Sequence, residues 1–304
     1  MPCTRPVITV VGGANLDIAG IPTGGYIPRD SNVGHVRRSP GGVGRNIAEN
    51  LARLGADVRL VTAFGDDADS ADLRVSCEAV GIDCTYSVHA TDVPCSRYLA
   101  VLDAGGDLAA AVNDMRALAT LTQDRLDPAA FDRARAVVLD TNLPAATIAR
   151  VAELAGDVPL VLDPVSVVKA ESARPIFGHL AALKANLMEA EVLTGAVGAE
   201  DAAARLLQLG ARRVFVTLGP GGVLCASATE AFVIPSRAHT VRNASGAGDA
   251  FTAGVAWGLA CGLSLRDTAK MAVTLSAIAL ESENTVNERL SVSLLAERME
   301  ESDS

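Results

Sequence analysis

The chain has 304 residues, 49% hydrophobic and 20% charged, with a formal net charge of −10. That length and apolar content allow a large core, as one big domain or a domain with a subdomain. The acidic balance, with no basic tract, argues against a nucleic-acid partner, and no apolar run reaches the length of a membrane span.

Val7–Val11 is a short apolar run ending in Gly12-Gly13, as a buried strand would. No charged stretch followed by a long apolar one precedes it, so no signal peptide and a cytoplasmic location are expected. Residues 18–40 are turn-rich, with alternating pieces at Ile18–Ile21 and His35–Arg38. Val43–Leu54 has helical periodicity, with Ile47, Leu51 and Leu54 on one face and Gly55 as its stop. Val58–Ala63 is expected as a strand and Ala71–Val80 as a helix. Cys84–Val88, Arg97–Leu102 and Leu108–Val112 then read as strands.

From about residue 134 the pattern becomes regular. Ala136–Asp140 reads as a strand, Ala145–Ala155 as a helix, Leu160–Asp163 as a strand and Ala173–Leu183 as a helix. Helices at Glu189–Thr194 and Ala202–Leu209 and strands at Arg213–Leu218 and Val223–Ala226 follow. Ala247–Cys261 and Leu265–Glu281 are expected as helices, and the polar tail Arg298–Ser304 as frayed. Strands alternating with helices imply a mainly parallel sheet covered on both faces. The hairpin-like pieces near 18–40 and 95–113 break that rhythm and would form a small projecting sheet built from insertions. Six cysteines without a CxxC pair, and four histidines without ligand-like spacing, suggest neither zinc nor a disulfide framework.

Five motifs carry candidate chemistry. Asn15-Leu16-Asp17 follows the first strand, where ligands gather in an α/β sheet. Alternation lets Asn15 and Asp17 face one way, so together they can donate to and accept from a diol; a plain turn would look the same. Ser39-Pro40-Gly41-Gly42-Val43-Gly44-Arg45-Asn46 opens the first long helix with glycines that admit a ligand close to the backbone. It satisfies neither the dinucleotide fingerprint nor the P-loop. Asn186-Leu187-Met188-Glu189 offers Glu189 to magnesium, directly or through water, or equally a helix cap. Thr217-Leu218-Gly219-Pro220-Gly221-Gly222 ends a strand in glycines against which nucleotide phosphates can lie, or is a hairpin turn. Asn243-Ala244-Ser245-Gly246-Ala247-Gly248-Asp249 is a tight turn at a helix start. Its backbone N–H groups can hold an anion. A carboxylate beside an anion hole needs a reason, and proton abstraction from an attacking hydroxyl supplies one; a first-turn helix charge is the plainer alternative.

In this order and spacing the motifs resemble the ribokinase-like (PfkB) family of sugar and nucleoside kinases, from Val7 to about Leu280. The resemblance implies a single three-layer α/β/α domain over residues 1–304, with a mainly parallel sheet and a small β-sheet lid. A narrower likeness is to the pseudouridine kinases, carried by Ala14–Gly20, Asp30-Ser31-Asn32, Ser39–Leu51, Val112–Met115 and Asp163-Pro164-Val165-Ser166.

What the resemblance implies can be stated residue by residue. Asn15, Asp17, Gly41, Gly42 and Asn46 would hold the sugar, and Ser31 and Asn113 on the lid would meet the base. ATP would lie against Asn186, Thr217, Gly219, Gly221, Gly222 and Ser276. Asp249 would take the proton of the 5′-hydroxyl, with Gly246, Ala247 and Gly248 as the anion hole. Magnesium would sit near Glu189. Many relatives have Asp where this chain has Asn243, so a weaker or altered potassium dependence is expected. Family lids often pair, so a homodimer is expected. The rivals are a kinase of uridine, inosine or ribose, and a non-catalytic nucleoside-binding protein.

Overall fold

The computed structural model describes residues 5–103, 105, 107–238 and 240–301. Its elements run β1 (Val7–Val11), β2 (Asn15–Pro22), β3 (Gly34–Gly41), α1 (Val43–Arg53), β4 (Asp57–Val61), β5 (Ala63–Phe64) and α2 (Ala68–Ala79). They continue through β6 (Ile82–Asp83), β7 (Val88–His89), β8 (Arg97–Leu102), β9 (Leu108–Asp114), the one-turn α3 (Arg116–Ala119), β10 (Ala136–Asp140), α4 (Ala145–Ala155) and β11 (Leu160–Asp163). The one-turn α5 (Val167–Ala170), β12 (Leu180–Asn186), α6 (Leu187–Thr194), α7 (Ala199–Gln208), β13 (Arg213–Thr217), β14 (Val223–Ser227) and β15 (Ala231–Ile234) follow. The chain closes with α8 (Ala247–Ala260), α9 (Leu265–Leu280) and α10 (Val292–Glu301).

Among the described residues the large sheet has nine strands in the order β15-β14-β13-β12-β11-β10-β1-β4-β6, parallel except for β14 and β15. Its central strands are apolar on both faces because helices cover both. Ile8, Val10 and Val138 pack with Ile47, Leu51 and Val255 on one side. Val11, Val137 and Leu139 pack with Ile148, Val151 and Leu206 on the other. This is the three-layer α/β/α arrangement, with a smaller sheet beside it, that the resemblance implies.

The smaller sheet has the order β3-β2-β8-β9. Its register sets Ser39, Asp17, Tyr98 and Asn113 side by side across four strands. Side chains alternate, so this row shares one face. Ile18, Leu99 and Val112 form the neighbouring row on the opposite face. The base of the sheet is tied to α2: Arg97 Nη2 donates to Asp67 Oδ2 at 2.6 Å and Asp69 Oδ2 at 2.8 Å, and Arg38 pairs with Asp69. Asp67 also caps α2 by accepting from Ser70 N–H. The Arg97 guanidinium, together with Ser70 and Cys95 N–H groups, outweighs the cost of burial and holds the Asp67 carboxyl below its ordinary range.

Three expectations are corrected. Cys84–Val88 is not a strand; a turn separates the two-residue strands β6 and β7. The helix expected at Ala173–Leu183 is a 3₁₀ segment, Glu171–His179, followed by strand β12. Residues 298–301 of the tail are the end of α10, where Arg298 pairs with Glu281 at 2.9 Å; 302–304 lie outside the described residues. Cys77, Cys84, Cys95 and Cys225 are free and buried; Cys3 lies outside the described residues.

Candidate active site

Parallel strands deliver their carboxyl ends to one edge of the sheet, and the chemistry-bearing residues gather there. β1 hands the chain to Gly12-Gly13 and then to β2. Asn15 Nδ2 donates to Asp17 Oδ1 at 2.6 Å. A Cβ added to Gly41 would lie 2.1 Å from Asp17 Oδ2, so this carboxylate rests against the backbone of the glycine loop. Burial raises the Asp17 carboxyl above its usual range, against the bond from Asn15 and the charge of Arg45.

The glycine loop leads into α1. Arg45, buried and ion-paired with Glu49, donates from Nη1 to Asn46 Oδ1 at 3.2 Å. That turns the buried Asn46 amide nitrogen toward α8, where Nδ2 donates to Asp249 Oδ2 at 2.8 Å. Residues 203 positions apart in sequence are thus joined, one on the expected sugar side and one on the expected phosphate side.

Asp249 lies in the first turn of α8. Gly246 precedes that helix with φ of 84°, in the left-handed region, and a Cβ there would fall 1.8 Å from Thr285 O. Only glycine makes this turn, and the turn leaves the first N–H groups of α8 without helical acceptors. Asp249 is half-buried. Burial, then the charge of Asp163, pushes its carboxyl up to about 7, against Asn46 and Lys184. A carboxylate at its ordinary pKa of about 3.9 would be a much weaker base.

Beside this helix start lies a cavity of about 500 Å³, lined by Thr217, Gly219, Gly222, Gly248 and Ser276 among others. It is mostly apolar, and the first residues of α8, Ala247 and Gly248, form part of its wall. Gly221 and Asn186 are not in its lining. Asn186 and Glu189 form a reciprocal helix cap: Glu189 N–H donates to Asn186 Oδ1 at 2.8 Å, and Asn186 N–H to Glu189 Oε2 at 2.9 Å. The cap and the magnesium readings are compatible, because Glu189 Oε1 takes no hydrogen bond among the described residues. No group of three or more His, Cys, Asp or Glu there could hold a metal alone.

The remaining expected residues spread out. Asn113 lies on β9, two strands from Asp17 in the same row. Ser31 sits in the exposed turn between β2 and β3, its N–H given to Asp30 Oδ1, with no hydrogen bond to another site residue among those described. Asn243 Oδ1 accepts from Ser245 N–H at 2.9 Å and its Nδ2 donates to Glu283 O at 3.0 Å.

Sequence reasoning missed four residues here. Asp140, fully buried, accepts on Oδ2 from Gly13 N–H at 2.7 Å and Gly44 N–H at 2.9 Å, pinning both substrate-side loops. Burial pushes its carboxyl up to about 6, even with backbone N–H groups opposing. Asp163 ends the adjacent strand in register with it. Lys184 and Tyr98 complete the set. The readable signal was a carboxylate closing each of two apolar strand runs.

A family model described as pfkB family carbohydrate kinase matches residues 6–291. The chain is 33% identical to the pseudouridine kinase of Escherichia coli strain K12, covering 95% of each chain. It is 35% identical to the uncharacterized sugar kinase YeiI of the same strain, covering 93% of this chain and 80% of that one. Ribokinase from Thermotoga maritima superposes with a TM-score of 0.89 at 24% identity, over 97% of this chain and 99% of that one.

Proposed function

The chain belongs to the pfkB family of carbohydrate kinases, a family of enzymes that phosphorylate hydroxyl groups of sugars or nucleosides with ATP, and from that premise we propose that it phosphorylates the 5′-hydroxyl of pseudouridine. One observation carries the mechanism: the 2.8 Å bond between Asn46 and Asp249, at the meeting of the glycine loop and the α8 N-terminus. A hydroxyl held by the loop side would face Asp249 on one hand and the nucleotide cavity on the other.

The hydroxyl oxygen attacks the γ-phosphorus, its proton passes to Asp249 Oδ, the bond to the bridging oxygen breaks and ADP leaves. Backbone N–H groups of Gly246, Ala247 and Gly248 meet the charge that develops on the transferring group. Asn15, Asp17, Gly41 and Gly42 hold the ribose, and Asn113 and Ser31 meet the base. Thr217, Gly219, Gly222 and Ser276, which line the cavity, serve ATP. Magnesium, when bound, would neutralise phosphate charge, and Glu189 would help to hold it through water.

The overall similarity to a pseudouridine kinase over 95% of both chains supports the choice of nucleoside. The similarity to YeiI favours, as a second reading, a different sugar or nucleoside on the same machinery. ADP release from the purified chain, with ATP, magnesium and each of pseudouridine, uridine, inosine, adenosine, ribose and fructose, tests both. Strong preference for pseudouridine is expected. Preference for another acceptor rejects the nucleoside assignment and keeps the phosphoryl transfer; silence on every acceptor favours a non-catalytic binding protein. We propose further that two copies pair through their lid sheets.

A further inference from the structure

Lys184 lies on β12, two residues before Asn186, and is 8% exposed. An ammonium is unfavourable there unless a carboxylate meets it. Asp163, 2% exposed, does so: Lys184 Nζ donates to Asp163 Oδ2 at 3.2 Å. Yet Asp163 has other donors. Thr252 Oγ1 lies 2.7 Å from the same oxygen, and Val165 N–H donates to Oδ1 at 3.1 Å. Hydrogen bonding alone does not require a charge at position 184.

The position of the ammonium supplies the reason. A Cβ added to Gly248 would lie 2.8 Å from Lys184 Nζ. The cation therefore sits against the first turn of α8, and Lys184 is not among the residues that line the nucleotide cavity. Four groups face Asp249: Asn46 from α1, Asp140 from the end of β10, Asp163 from the end of β11 and Lys184 from β12. Glu189 on α6 also faces Lys184. Carboxylates outnumber the cation before any phosphate arrives.

We propose that Lys184 is a positioning residue for phosphoryl transfer: its buried ammonium adds positive charge against Gly248 and offsets the carboxylates around Asp249, without touching the nucleotide. The proposal rests on the kinase reading. Burial pulls the Lys184 ammonium down in pKa, but Asp163, then Glu189 and Asp249, outweigh it and hold the group cationic. A fixed charge in a water-poor site acts more strongly than in solvent and needs no rearrangement during the reaction.

The test compares Lys184→Met, Asp163→Asn and the double variant in the full-length chain with ATP and magnesium. The acceptor is whichever member of the panel the wild type phosphorylates best, so failure of the pseudouridine assignment does not disturb it. Lys184→Met should lower kcat about tenfold or more, leave the acceptor KM little changed and move the acidic limb of kcat to higher pH. Asp163→Asn should move that limb to lower pH. Lys184→Met alone strands a buried carboxylate and can lose stability. The double variant removes both charges and should recover Tm while kcat stays low. Recovery of wild-type kcat in the double variant would make Lys184 a mere partner of Asp163 and overturn the proposal. So would an acidic limb that stays in place in Lys184→Met, with the substrate assignment left standing.

Discussion

At the scale of the residue, Asp249 is where stability and function oppose each other. Its pKa in the fold, about 7, lies well above the ordinary value of about 3.9. Between roughly pH 4 and 7 the folded chain therefore binds more protons than the unfolded one. Stability contributed by this group falls as pH rises through that window, and the penalty is complete above it. Asp249→Asn should raise stability at pH 8 by about 1–2 kcal/mol, discounted for the partial solvent access of the group, and change it little near pH 4. The same variant should lose about 10²–10⁴-fold in kcat while calorimetry still detects nucleoside binding. Substantial remaining turnover would reject the base assignment. Asn243 makes a second residue-scale test. Both ends of its amide are occupied by Ser245 and Glu283, so potassium should alter kcat only weakly, and Asn243→Asp should strengthen the dependence; a steep requirement in the wild type would count against this. Residues such as Asp249 and Asn46 were legible because glycine signatures flank them. Lys184 was not, because its meaning depends on Gly248, 64 positions later, and no local pattern links a strand lysine to a helix start.

Elements were legible where one physical preference dominated. Strands Ala136–Asp140 and Leu160–Asp163 are short apolar runs closed by Asp, and α4 between them has clear helical periodicity, so the sequence reading and the structure agree on all three to the residue. Strand β12 was missed for the opposite reason. Leu180-Ala181-Ala182-Leu183-Lys184-Ala185 consists of good helix formers, and the strand exists because β11 and β13 pair with it on both sides and bury it. Tertiary pairing overrode local propensity. The α8 start is the element most exposed to a single change. Gly246→Ala would place a methyl against Thr285 O in a left-handed backbone. A loss of about 2–4 kcal/mol is expected from the combined strain and clash, measured by urea unfolding, together with loss of turnover. An Ala variant of wild-type stability would mean that the 285 segment moves aside readily, and that the turn is not held as described.

At the scale of the whole molecule, the lid sheet poses a packing problem that one chain does not solve. Its inner row carries Asp17, Tyr98 and Asn113. Its outer face carries Val36, Leu99 and Val112, which are 73%, 41% and 64% exposed. β9 is also an edge strand with exposed residues along most of its length, and free edges invite pairing with another chain. The base of the sheet is fixed to α2 by Arg97, Asp67 and Asp69, so the lid is held out as a formed surface. A second copy presenting the same apolar rows would cover them by two-fold symmetry, in which each patch is its own complement. Sedimentation of the wild type should therefore show a dimer at micromolar concentration. Leu99→Lys with Val112→Lys should shift it to monomer, because a paired face would then carry like charges without water. The effect on catalysis should fall mainly on the acceptor KM, since Asn113 shares a strand with Val112 while Asp249 lies on α8 in the core domain. A monomeric wild type would show that the outer face stays bare. A dimer that survives both substitutions would move the interface elsewhere on the molecule.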